Sequence, residues 1–175
     1  MWIQAGALQP VPSYAVISAD AIARVTGRLS DHRGLQQRLD MAFRQLEREQ
    51  PQLTGFLAAE LNELEAQPAQ ALGYFLFVLV FLAFREGFGA RLREVAAEDL
   101  RAALEHLLAD GEVRSRACSA GSYSEDIVAL GQPALMHVVQ SELENAPDGA
   151  GELSPVVQSV LVEIVALTQA VAPVY

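Results

Sequence analysis

The sequence predicts an all-α protein, a compact bundle of seven or eight helices, on three observations. Apolar residues recur at helical spacing through most of the chain, and no stretch alternates apolar and polar residues with a period of two. Proline and glycine stand mainly where the periodic segments begin and end. One stretch is also written nearly twice. Residues 49–64, EQPQLTGFLAAELNEL, and 131–146, GQPALMHVVQSELENA, share Gln-Pro-x-Leu, an apolar pair and Glu-Leu at an offset of 82.

Residues 1–14 read as an N-terminal tail, with neither the basic start nor the continuous apolar stretch of a signal peptide. A single helical domain is expected over 15–175. It opens with an acidic helix start at Ile17-Ser-Ala-Asp20-Ala-Ile22. Over 31–49, Leu35, Leu39, Ala42, Phe43 and Leu46 make one stripe opposite Arg, Gln, Asp and Glu, with Ser30 or Asp31 as N-cap. Pro51 suits the first position of the next helix, where a missing N–H costs nothing; Leu53, Phe56, Leu57, Leu61 and Leu64 then line one face over 51–65.

Pro68 separates that helix from an apolar one at about 69–86, whose centre, ALGYFLFVLVFLAF at 71–84, carries no polar side chain except Tyr74. Fourteen residues fall short of the ~20 that cross hydrocarbon, so the run predicts the most buried helix of the bundle, ended by Gly87-Phe-Gly89. Residues 97–110 follow with Leu100, Leu104, Leu107 and Leu108 inward, Glu98 and Asp99 in the first turn, and Gly111 as C-cap. The Ser/Gly/Arg-rich stretch 112–124 reads as a loop, and 124–130 as a short helix. Pro133 opens a helix to about Asn145, and Ser154-Pro155 caps and starts the last, to about Val171.

The likeness of the two Gln-Pro stretches extends outward. Ile17–Ile22 matches Val95-Ala-Ala-Glu98-Asp-Leu100 at an offset of 78, and each Gln-Pro helix precedes one of the two most apolar segments, 71–84 and 155–167. This predicts two tandem halves, 15–90 and 93–172, related by a pseudo-two-fold axis around two central apolar helices. Two copies are fewer than a solenoid needs.

Within the repeat, Glu60 falls about 20° from Leu53 on the helical wheel, inside the apolar stripe, and Glu142 does the same among Leu135, Val138, Val139 and Leu143. An ionised carboxylate is costly to bury unless paired or hydrogen-bonded. Each half therefore aims a carboxylate inward or toward a seam. A salt bridge to Arg85, Arg44 or Arg48 is the structural explanation, and a ligand site at the seam formed by Glu60, Glu142 and Arg85 is the functional one. Arg85 with Glu86 also reads as a solvated helix end. No metal or other cofactor is expected, because none of His32, His106 and His137 stands three residues after a Glu, as a helical carboxylate-histidine iron site requires.

With 51% hydrophobic residues, 19% charged ones and a net charge of −10, the chain is globular and its field repels nucleic acid and anionic lipid. The basic residues are twelve, all arginine, which codon usage explains without a physical demand. Cys118 is the single cysteine, which excludes an internal disulfide or a zinc cluster; despite Arg114 and Arg116 beside it, it is expected to be an ordinary small residue. Gly121-Ser-Tyr-Ser124 follows no strand and is no nucleophile elbow, and Gly87-Phe-Gly89 lacks the spacing of a nucleotide loop. The expectation is a cytoplasmic, non-enzymatic protein-interaction or scaffold module acting on a protein partner or its own homodimer, with no membrane or nucleic-acid partner. The alternative is a small-molecule or metal-binding bundle using the carboxylates.

Overall fold

The structure, a computed structural model, describes residues 10–115, 128–129, 131–147, 151 and 153–175. Seven α-helices are described: α1 (Ala19–Leu29), α2 (Leu35–Glu49), α3 (Pro51–Glu63), α4 (Gln67–Phe88), α5 (Ala97–Ser115), α6 (Pro133–Glu144) and α7 (Ser154–Ala170). Of the expected helix at 124–130 only Val128 and Ala129 are described, and both are helical; most of the loop 112–124, Cys118 and residues 1–9 of the expected tail lie outside the described residues. From the end of that tail, Val11 packs against the core.

Ser18 starts α1, its Oγ accepting the Ala21 N–H at 3.2 Å, with Asp20 in the first turn against the macrodipole. Ser30 and Asp31 are not the N-cap of α2, as the periodicity suggested. Ser30 closes α1 through its N–H to the Thr26 carbonyl, and Gly34, at φ 66°, turns the chain before α2 begins at Leu35. A left-handed residue there is natural for glycine and ends one helix cleanly from the next. Pro51 and Pro133 occupy the first turns of α3 and α6 as expected.

Four other expectations shift. Pro68 lies inside the first turn of α4, and the helix continues through Gly87 to Phe88, where Gly89 at φ 52° stops it. Gly111 does not cap α5, which runs on to Ser115. One interior glycine costs a helix only about 1 kcal/mol, too little to stop it by itself. Leu108, expected inside, is exposed, while Leu100, Ala103 and Leu107 form the buried stripe. Ser154 is the first residue of α7 rather than its cap; Leu153 precedes it and no side chain caps that end.

α4 and α7 pack directly on each other. α1, α2 and α3 lie against α4, and α3 and α5 lie against α7. Along α4, Leu76 to Phe81, Ala83 and Phe84 are buried; along α7, so is every residue from Ser159 to Leu167. Each large apolar side chain in that centre contributes on the order of 1.5–3 kcal/mol. The apolar stretch 71–84 shares the core with α7. α7 buries ten of its 17 residues and α4 eleven of 22, because the N-terminal third of α4 emerges from the bundle. α4 with its following turn, Gln67–Arg91, is long and apolar enough to cross a membrane by length and composition. Here its central turns are the core.

No strand occurs among the described residues, but the chain end is tied down. Arg93 N–H donates to the Ala170 carbonyl at 3.0 Å and Ala172 N–H to the Arg91 carbonyl at 2.8 Å, bridging Leu92 to Val171. Val174 and Tyr175 beyond it are exposed.

The two glutamines of the repeated motif are both 1% exposed and make matching bonds. Gln50 accepts the Val95 N–H at 2.7 Å and donates to the Arg93 carbonyl at 2.9 Å. Gln132 accepts the Ile17 N–H at 2.9 Å and donates to the Ala15 carbonyl at 2.7 Å, with a further bond to Thr168 Oγ1 at 3.2 Å. Each glutamine thus satisfies the backbone of an extended segment that leads into a helix, Gln50 the one before α5 and Gln132 the one before α1. Their own backbones match, φ −136° and ψ 62° against φ −133° and ψ 65°. At the same offset of 82, Val78-Leu79-Val80 in α4 stands over Val160-Leu161-Val162 in α7.

A cleft where four helix ends meet

The last turns of α1 and α6 and the first turns of α2 and α4 converge on a cleft of about 500 Å³. Its apolar wall is Leu29, Leu35, Leu72 and Phe75, and Ser30, His32, Glu142 and Asn145 supply the polar groups. Leu72 and Phe75 face it because α4 outruns its neighbours here; both stay partly exposed, whereas Leu76 to Phe81 are sealed one turn further on.

Glu142 and Glu60 are each partly buried, consistent with the edge of an apolar stripe. The burial pattern of 50–63 repeats in 132–145 at all but two positions. Yet the two carboxylates do not share this cleft: Glu142 lines it and Glu60 does not. Neither makes an ion pair among the described residues. Arg85 joins neither of them. It is exposed and its Nε donates to Glu49 Oε2 at 3.0 Å, tying α4 to α2. Its neighbour Glu86 is no free helix end either, since Arg24 at 2.6 Å and Arg28 at 2.5 Å bridge it to α1. Those two guanidiniums hold the Glu86 carboxyl below its ordinary range.

The groups at the rim of the cleft are not set up for nucleophilic chemistry. The Ser30 hydroxyl donates to the Gly27 carbonyl at 2.9 Å, one turn back in its own helix, so its proton is committed away from His32. No group of three or more His, Cys, Asp and Glu residues suited to a metal ion is present among the described residues.

One carboxylate escaped the sequence reading. Glu163, in the middle of α7, is 0% exposed, and neither oxygen has a hydrogen-bond partner among the described residues. Burial pushes its carboxyl well above the ordinary value. Its signal was a lone charge inside VLVEIVAL, where the equivalent place in α4, at the same offset, is Phe81, also 0% exposed. His106 Nδ1 on α5 is likewise buried without a partner among the described residues. Compared with known protein families, curated proteins and solved structures, the chain matches none.

Proposed function

We propose that the protein is a non-enzymatic binding protein that holds a small molecule in the cleft at Glu142. The observation that carries this reading is the cleft itself. At about 500 Å³ it lies within the roughly 300–1,000 Å³ usual for small-molecule sites, and it combines an apolar wall with a few polar groups. Leu72 and Phe75 support it further, as large apolar side chains left partly open on a helix that is elsewhere the core. The Ser30 hydroxyl, bonded within its own helix, favours binding over turnover. Of the two functions the sequence suggests, a module for protein partners and a small-molecule bundle using its carboxylates, the cleft favours the second, with Glu142 alone of the predicted residues in place.

The test is methyl-resolved NMR of the full chain during titration with a set of small, soluble aromatic and aliphatic compounds. Shifts gathered on Leu29, Leu35 and Leu72 support the reading. Compounds that perturb methyls elsewhere and leave these unmoved refute it. We also read the segments 15–90 and 93–172 as tandem copies. The matching bonds of Gln50 and Gln132 and the shared offset of 82 support that reading.

A further inference from the structure

We infer that the ligand of the cleft is an organic cation with an apolar body, its charged head on the Glu142 carboxylate and its body on Leu72 and Phe75. The inference rests on the binding function proposed above and names the chemistry of the occupant.

Charge decides it. Four helix ends meet at the cleft, and their macrodipoles oppose one another. α1 and α6 present C-terminal carbonyls there, whereas α2 and α4 present N-terminal N–H groups, neither with a side-chain cap. With two helix C-termini and two N-termini at the cleft, no one dipole sign prevails by number, and the formal charge at the rim sets the sign. Glu142 supplies it, because no arginine is among the lining residues and the nearest acid–base company is His32, which is exposed. The net charge of −10 adds a long-range field of the same sign.

Glu142 is also free to bind. It makes no ion pair among the described residues, so a ligand's cation has no resident partner to displace. Its position, partly buried at the lip of an apolar wall, lets a cation keep some water while its body is partly shielded against the wall. An anion would meet Glu142 directly. A neutral molecule of the same shape would gain the wall and lose the head-group contact. Phe75 adds a ring on which an aromatic body can stack.

Three compounds of one shape and three charges separate these cases: 2-phenylethylamine, 2-phenylethanol and phenylacetate. They are titrated into the full-length protein at about pH 8, where the amine is a cation and phenylacetate an anion. Binding is read from the Leu29, Leu35 and Leu72 methyl resonances. The expected result is that the amine binds about three- to ten-fold more tightly than the alcohol, with phenylacetate weakest. In Glu142→Gln the amine should lose that advantage while the alcohol binds as before. Raising NaCl from about 0.05 M to about 0.5 M should shrink the preference in the wild type alone.

If the alcohol binds as well as the amine, or if the preference survives in Glu142→Gln, the cation inference is overturned while the cleft remains a binding site. If none of the three moves the cleft methyls, both the inference and the proposed function fall. A melting curve of Glu142→Gln matching the wild type confirms that its lost preference is not lost fold.

Discussion

Glu163 offers a measurement whose sign and size follow from its surroundings. It is fully buried on a helix where every residue from Ser159 to Leu167 is buried, and its two oxygens have no partner among the described residues. Desolvation raises its carboxyl well above the ordinary 4.5, so the folded state holds a proton that the unfolded chain releases. Below the ordinary value both states are protonated and the linkage costs nothing. As pH climbs past it, only the unfolded chain ionises, and stability falls by about 1.4 kcal/mol per pH unit until the folded group ionises too. A neutral carboxyl with no partner costs a further ~1–3 kcal/mol. Replacing it by methionine, unbranched and of similar length, removes both costs. Urea unfolding of wild type and Glu163→Met at a series of pH values from about 5 to 8 reads the difference directly. The variant should be more stable throughout, and the gap should widen as pH rises above the ordinary carboxylate value. Two stability curves running parallel in pH, or a variant weaker than the wild type, would refute the reasoning and show that Glu163 has a partner.

Three other outcomes follow from the packing. Phe77→Ala, at a position 1% exposed in the centre of α4, should cost about 3–5 kcal/mol in denaturant unfolding. Gln50→Leu and Gln132→Leu should each cost about 2–5 kcal/mol, since each orphans a buried N–H and a carbonyl on a distant segment of the chain. One of the pair proving neutral would sever the parallel between the halves. Glu60→Gln and Glu142→Gln, partly exposed and without ion pairs among the described residues, should each melt within about 0.5 kcal/mol of the wild type, with or without divalent metals. A loss of several kcal/mol would instead mean that a buried arginine had been left unpaired.

What could be read in advance was what periodicity and punctuation encode. Pro51, Pro133, the stripe of α2 and the apolar centre of α4 are local, and they appear where the spacing placed them. What shifted was also local but weakly determined: Gly34 outweighed Ser30 and Asp31, while Gly111 failed to end α5. The cleft was not legible, because its walls come from four helix ends far apart in sequence and no single segment carries its pattern. Glu142 was found through its helical phase, but the same phase put Glu60 beside it in expectation, and phase says nothing of which seam a stripe meets.

The repeated Gln-Pro motif shows the limit most clearly. The repeat was visible, and the carboxylates drew attention because an ionised group on an apolar face is costly. Nothing in the local spacing marks the glutamines for burial. Their partners lie 45 and 115 residues away, a distance no periodicity spans. Yet a repeat does constrain such pairs. If two halves are built alike and each buries one glutamine, those amides must be satisfied somewhere. Gln50 and Gln132 are both satisfied with one geometry, each on an extended backbone leading into a helix. The same comparison, carried on at an offset of 82, sets Phe81 against Glu163. Of these two sealed positions, one filled by a ring and the other by a carboxyl, packing alone explains only the ring. The carboxyl leaves a cost that pH titration can measure, and Glu163→Met is the substitution that should remove it.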